Sequence, residues 1–170
     1  MKKEELLSIV NSPKVLERTI RLSKDIDENT IDALLEKILK FYQQDPNEYI
    51  VLHSSTNGGV TTQAISYFET IRIYRPKLIT IVSGRCYSGG TTILLASEPE
   101  LRIATKSTHF LIHPTRSQMN GSYGLLEIQE KMKFLADLED INLKIFLKET
   151  KMTEKKFKKE KSNDVYSNVD

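Results

Sequence analysis

Gly84-Arg85-Cys86-Tyr87-Ser88-Gly89-Gly90 sets one serine on a glycine-framed turn between two apolar runs. The run before it, Leu78-Ile79-Thr80-Ile81-Val82, reads as a buried strand, and the run after it, Thr91-Thr92-Ile93-Leu94-Leu95-Ala96, reads as a helix start. A serine at that junction stands beside backbone N–H groups with no partner inside the helix. Such groups can hold a developing oxyanion, and the glycines admit a substrate backbone. The same fragment is consistent with a plain strand-to-helix turn capped by a serine.

Outward from this turn, strands alternate with helices. Asp27 to Tyr42 carries Ile31, Leu34, Leu35, Ile38, Leu39 and Phe41 at helical spacing behind the acidic stretch Asp25 to Glu28. Glu48-Tyr49-Ile50-Val51-Leu52 reads as a strand, and Thr62 to Tyr74 as a second helix stopped by Pro76. After the serine turn and its helix, Thr108-His109-Phe110-Leu111-Ile112 is strand-like and ends in His113-Pro114. This alternation predicts an α/β fold with helices covering a mostly parallel sheet. Its ligand site should lie at strand carboxyl ends, where Gly58 and His113 fall. From Tyr123 to Thr150 the pattern becomes one long helix whose apolar residues, from Leu125 to Phe146, spread over more than one face. That spread predicts contact beyond its own domain; an ordinary long core helix is the other reading.

Ser88, His113 and an acid in the polar segment Lys161-Ser162-Asn163-Asp164-Val165-Tyr166 follow in chain order. They make a possible nucleophile, base and orienter, a set recognised by roles rather than by order. Serine, histidine and acid also occur by chance in almost any chain of this size.

Several segments in sequence resemble the proteolytic subunit of the Clp protease, the caseinolytic serine peptidase family. Leu16-Glu17-Arg18-Thr19-Ile20-Arg21-Leu22 looks like its first core strand, followed by Asp25-Ile26-Asp27-Glu28-Asn29 and a helix. Ser55-Thr56-Asn57-Gly58-Gly59-Val60-Thr61 resembles its Ser-Pro-Gly-Gly-Ser-Val-Thr segment, with Asn57 in place of proline. Tyr87-Ser88-Gly89-Gly90 resembles its Ser-Met-Gly-Ala nucleophile turn, and Phe110-Leu111-Ile112-His113-Pro114 its Met-Ile-His-Gln-Pro strand. The segment with Asp164 is similar to its Asp-Arg-Asp-Asn-Phe.

The resemblance implies a ClpP/crotonase-like β-α-β superhelical fold in a single domain over 1–170, with a long protruding handle helix. Residues 1–15 would be an N-terminal segment, 16–122 the head, 123–150 the handle, and 151–170 the acid-bearing return to the head. It implies Ser88 as nucleophile, His113 as base, Asp164 as its orienter, and Gly58 and Gly89 as oxyanion-hole donors. Substrate would lie as an added strand against Gly58, Gly59, Val60 and Thr61, and against about Ser117 to Gly124. It further implies homo-oligomers in stacked rings joined through the handle, unfolded polypeptide as substrate, and an ATP-dependent AAA+ unfoldase as partner. The residues before Leu16 do not match the family's axial loop, and the chain stops at Asp170 where the family continues into a further strand.

Composition is consistent with this reading. The chain has 170 residues, enough for one domain burying roughly 70% of its unfolded surface. Its 25 basic and 23 acidic residues point to no nucleic-acid partner. No stretch approaches the ~20 apolar residues of a membrane span, so a cytoplasmic protein is expected. Cys86 is the one cysteine, which excludes an internal disulfide and fits a reducing compartment. No Gly-x-x-x-x-Gly-Lys-Ser/Thr motif occurs, so no cofactor is expected in this chain and ATP use would belong to the partner. No cluster has zinc-ligand spacing.

Other candidates are weaker. His53 could replace His113 as base, because it too would end a strand near Gly58. His109 reads as structural and Cys86 as a small buried side chain. The basic run Lys155 to Lys161 reads as a solvated helix face. Two further functions stay open: a catalytically poor structural paralogue in mixed rings, and a crotonase-like acyl-coenzyme A enzyme that uses backbone N–H pairs without a serine nucleophile.

Overall fold

The computed structural model describes residues 3–117, 121–162 and 165–168. Two compact units are distinguished, one of residues 1–111 with 166–170 and one of residues 112–165.

The first unit opens with two short helices, α1 (Lys3–Val10) and α2 (Pro13–Leu16), which the sequence pattern does not announce. Proline at the first position of α2 fits a helix start, since its missing N–H would have had no partner there. The first strand, β1 (Thr19–Leu22), therefore starts three residues later than the Leu16 to Leu22 motif suggests. Arg18 in between is buried. It donates from Nε to the Tyr49 carbonyl at 3.1 Å and from Nη2 to the carbonyls of Phe41 (2.7 Å) and Asp45 (3.1 Å). The carbonyls of Phe41 and Asp45 lie at the end of α3 (Glu28–Gln44), so the buried charge acts as that helix's C-terminal cap. At the other end, Asp27 Oδ1 accepts from the Thr30 N–H at 2.7 Å, and hydrogen bonding from Thr30, its side chain first and its backbone second, holds the carboxyl below the usual range. Ile31, Leu34 and Ile38 are the buried stripe of α3.

β2 (Ile50–Thr56), α4 (Thr61–Tyr74), β3 (Leu78–Tyr87) and α5 (Gly89–Leu95) follow, then β4 (Arg102–Ala104) and β5 (His109–Ile112). α4 ends at Arg75, whose φ of 50° is a left-handed stop, with Pro76 behind it. Near the C-terminus, β6 (Val165–Asn168) completes a sheet ordered β1-β2-β3-β5-β6, with β4 also paired to β3. The pairings of β1 with β2, and of β3 with β2, β4 and β5, are parallel, as the alternation of elements predicts. On one face Leu6 and Val15 from α1 and α2 pack with Val51, Ile79 and Leu101. Burying each such side chain stabilises by about 1.5–3 kcal/mol. β3 is longer than its apolar run suggests: Gly84 to Tyr87, which the sequence assigns to the turn, continue the strand, with a register shift between Ser54 and Thr56 of β2. Gly84 absorbs that irregularity with φ 72°.

The second unit is built on α6 (Leu125–Glu149) and α7 (Glu154–Ser162). The Glu127 carboxylate accepts from the Gly124 N–H at 2.8 Å, satisfying one donor at the start of α6. Phe157 of α7 is buried against Phe146 of α6, ring centroids 5.0 Å apart. Lys155, Lys156, Lys158 and Lys159 of the basic run are thus the exposed side of a helix anchored by its phenylalanine, with Lys158 paired to Glu154. Leu138, Ile145 and Phe146 are the buried positions of α6, whereas Leu125, Leu126, Met132 and Phe134 are each more than half exposed. Among the described residues no helix is long and apolar enough to cross a membrane.

Candidate active site

Ser88 occupies the single residue between β3 and α5, with φ 51° and ψ −124°. A non-glycine residue in such a sparsely populated region costs about 1–3 kcal/mol and persists only where its surroundings enforce it. Three bonds do so. Its N–H donates to the Leu111 carbonyl of β5 at 2.8 Å, and its own carbonyl accepts from the Thr91 N–H at 2.9 Å and Thr91 Oγ1 at 2.6 Å. The side chain is half-exposed at the carboxyl end of β3.

The glycine pair after β2 lies against this serine. A Cβ on Gly58, whose φ is 90°, would come within 2.6 Å of Ser88 Cβ and of the Tyr87 carbonyl oxygen. Glycine is required here by close approach as well as by backbone angle. The Gly58 N–H donates to Thr56 Oγ1 at 3.1 Å. Ile26 pairs with this segment, giving its N–H to the Gly58 carbonyl (2.7 Å) and accepting from Val60 N–H (2.8 Å). The N–H groups of Gly59 and Gly89 make no hydrogen bond among the described residues. The Gly59 nitrogen lies 3.9 Å from where a Gly89 Cβ would stand. Two N–H donors with no partner among the described residues thus lie near one another at the Ser88 turn.

Asn57, at the proline position of the resembling motif, bridges the loop edge. Its Oδ1 accepts from Arg85 Nη1 at 2.9 Å, and its Nδ2 reaches Asp25 Oδ1 at 3.4 Å. Proline would make neither bond.

His113 belongs to the second unit. It is half-exposed, and its Nδ1 lies 2.7 Å from the Pro114 carbonyl oxygen. A carbonyl only accepts, so Nδ1 carries a proton and Nε2 is the ring nitrogen not engaged by that bond. Two residues on, Thr115 gives its N–H to the Glu139 carboxylate of α6. Asp164, and part of the expected substrate segment Ser117 to Gly124, lie outside the described residues.

His53 does not end a strand. It lies mid-way along β2, exposed, with Nε2 2.9 Å from Ser83 Oγ. His109 opens β5 and is exposed. Cys86 is buried, its thiol pushed up to about 12 by burial and placed 3.4 Å from the Gly90 carbonyl oxygen, so it presents no thiolate.

A family model described as Clp protease matches residues 2–170. Two curated relatives from Frankia casuarinae, "ATP-dependent Clp protease proteolytic subunit 3" and "subunit 2", are each 28% identical over 115 residues. That alignment covers 68% of this chain and 54% and 53% of theirs, so the chain spans about half the length of the curated relatives it matches. Among solved structures, a point mutant of ClpP1 from Listeria monocytogenes superposes with a TM-score of 0.81 at 19% identity, covering 92% of this chain and 85% of that one. The likeness shows the fold, which is the α/β architecture expected from the sequence. With its family match running from the first helix to the last strand, the chain belongs to the Clp protease family.

Proposed function

We propose that this chain is a serine endopeptidase, with Ser88 as nucleophile, His113 as general base and Asp164 as the group that orients the imidazole by taking over the Nδ1–H that here goes to the Pro114 carbonyl. The observation that carries the reading is the enforced backbone of Ser88 beside unspent glycine N–H groups. Ser88 Oγ attacks a peptide carbonyl, His113 Nε2 takes the proton and later returns it to the leaving amine, and the oxyanion rests on backbone donors. Each donor contributes about 3 kcal/mol to the transition state. Gly89 supplies one donor, and the resemblance assigns the other to Gly58. The claim of Thr56 on the Gly58 N–H favours Gly59 as that second donor. Ile26 uses one edge of the Gly58 to Val60 segment and leaves Gly59 on the other, where an extended substrate would pair through its main chain with little sequence preference.

In the same reading the subunit works in the cytoplasm, in rings stacked through α6, on polypeptide unfolded by an AAA+ partner. The exposed Leu125, Leu126, Met132 and Phe134 support such stacking. A fluorophosphonate probe tests the chemistry: labelling of the folded chain that maps to Ser88 and vanishes in Ser88→Ala is expected. No labelling of well-folded protein would overturn it in favour of a structural paralogue.

A further inference from the structure

A groove of about 250 Å³ runs between β1 and α3, far along the sheet from the β5 and β6 end. One wall is five consecutive residues, Ile20 to Lys24, and the other is a face of α3 that includes Asn29, Leu34 and Lys37. Successive residues of a strand point to opposite faces, so a wall made of a continuous run is the edge of the strand itself.

That edge is open. β1 ends the sheet order, and among the described residues no strand pairs with its outer side. The Val51 N–H donates to the Arg18 carbonyl at 3.2 Å, and the register runs Ile20 to Leu52 and Leu22 to Ser54. In a parallel ladder alternate residues turn their main-chain groups to the neighbour, so Ile20 and Leu22 face β2 while Thr19 and Arg21 turn theirs outward. A groove between an edge strand and a helix is the setting in which an extended peptide adds as a further strand.

The charge of the groove selects the peptide. Arg21, Lys24 and Lys37 line it, all exposed, and no acidic side chain is among the described lining residues. None of the three is held in an ion pair among the described residues. The neighbouring Asp27, outside the lining, caps α3, and its charge interacts with that of Lys24. The floor is apolar, from the buried Ile20, Leu22 and Leu34. Alternating apolar and acidic residues would therefore set one face on that floor and the other among the cations.

We propose that the β1/α3 groove binds an extended acidic segment of a partner protein by strand addition to β1. The test is fluorescence anisotropy of a labelled octapeptide of alternating valine and aspartate, titrated with the full chain at low ionic strength. Saturable binding is expected, weakened about tenfold or more by the Lys24→Glu/Lys37→Glu double variant and by added salt. N-methylation of alternate peptide bonds should weaken it to a similar degree, because that removes the main-chain donors while keeping charge. Circular dichroism checks that the double variant is folded; the N-methylated peptide, tested on the unaltered chain, keeps the question answerable otherwise. Absence of binding overturns the proposal, as does equal binding of a lysine-for-aspartate peptide. Equal binding of the N-methylated peptide, with displacement by inorganic phosphate, overturns it in favour of a simple anion site. Ser88→Ala should bind the peptide unchanged, which separates this result from the fate of the peptidase reading.

Discussion

Gly59→Ala is the sharpest test of how the Ser88 site is built. The backbone of Gly59 has φ 148°, a region open in practice to glycine alone, so alanine is strained there by about 1–3 kcal/mol. Its Cβ would also stand 2.2 Å from the Ile26 carbonyl oxygen and 2.8 Å from the Ile26 nitrogen, backbone atoms that cannot swing aside as a side-chain tip can. Relief requires the Ile26 bridge to open, which forfeits its bonds to Gly58 and Val60, each worth about 1 kcal/mol. The sum is roughly 3–5 kcal/mol, a large part of the ~5–15 kcal/mol by which a domain is stable. For a chain of this length that corresponds to a fall of roughly 6–20 °C in Tm. Gly84→Ala is the matched control. It too has positive φ, 72°, but the nearest atom is Ser55 Oγ at 3.3 Å, so backbone strain of about 1–2 kcal/mol is its main cost. Thermal and urea unfolding followed by circular dichroism measure both. Equal losses in the two variants would refute the argument that contact with Ile26 is what demands glycine at 59.

His113→Ala should abolish fluorophosphonate labelling of Ser88 while leaving the circular dichroism spectrum unchanged; persistent labelling would remove His113 as base. Cys86 should resist an aromatic disulfide reagent in the native protein and react on unfolding, and rapid native reaction would contradict its burial. Leu126→Glu and Phe134→Glu should lower the particle mass in light scattering, with an unchanged mass arguing against stacking through α6. Both positions are exposed, whereas a change at the buried Leu138 would report on folding instead. Hydrogen bonds to Lys14 first, and backbone bonds second, hold Asp45 and Glu48 below the usual carboxylate range, and Thr30 does the same for Asp27. Groups depressed in the folded state stabilise above their unfolded pKa, and that contribution is lost as pH falls through the folded values. Tm should therefore decline below about pH 4, and Lys14→Met should flatten the decline; an unchanged slope in Lys14→Met would discount the pair of acids it holds.

Much of the fold is legible in the sequence because the signals are local. The cap at Asp27, the stripe of Ile31, Leu34 and Ile38 and the stop at Pro76 each state their element within one turn of chain. The strand behind Ser88 reads too short because glycine signals a turn, whereas Gly84 here serves a shift in pairing with β2 that only the partner strand reveals. Arg18 looks like a strand residue; its role as a cap depends on the distant carbonyls of Phe41 and Asp45. His53 is misplaced by its sequence for a related reason, since the strand continues through polar Ser54 to Thr56, where the apolar pattern has already ended. The serine and its glycines are visible as a motif. Which glycine N–H is already spent is not, because that rests on the rotamer of Thr56.

The hydrogen bond from the Ser88 N–H to the Leu111 carbonyl also bears on amide exchange. The strand it reaches, β5, is four residues long and pairs with β3 only from Arg85 to Tyr87. Strain stored at Ser88 is released when that strand lets go, so it lowers the free energy of local opening by up to the same amount. The serine's amide then exchanges with solvent in step with β5 rather than with the interior of β3, and this short strand sets how long the Ser88 turn keeps its shape.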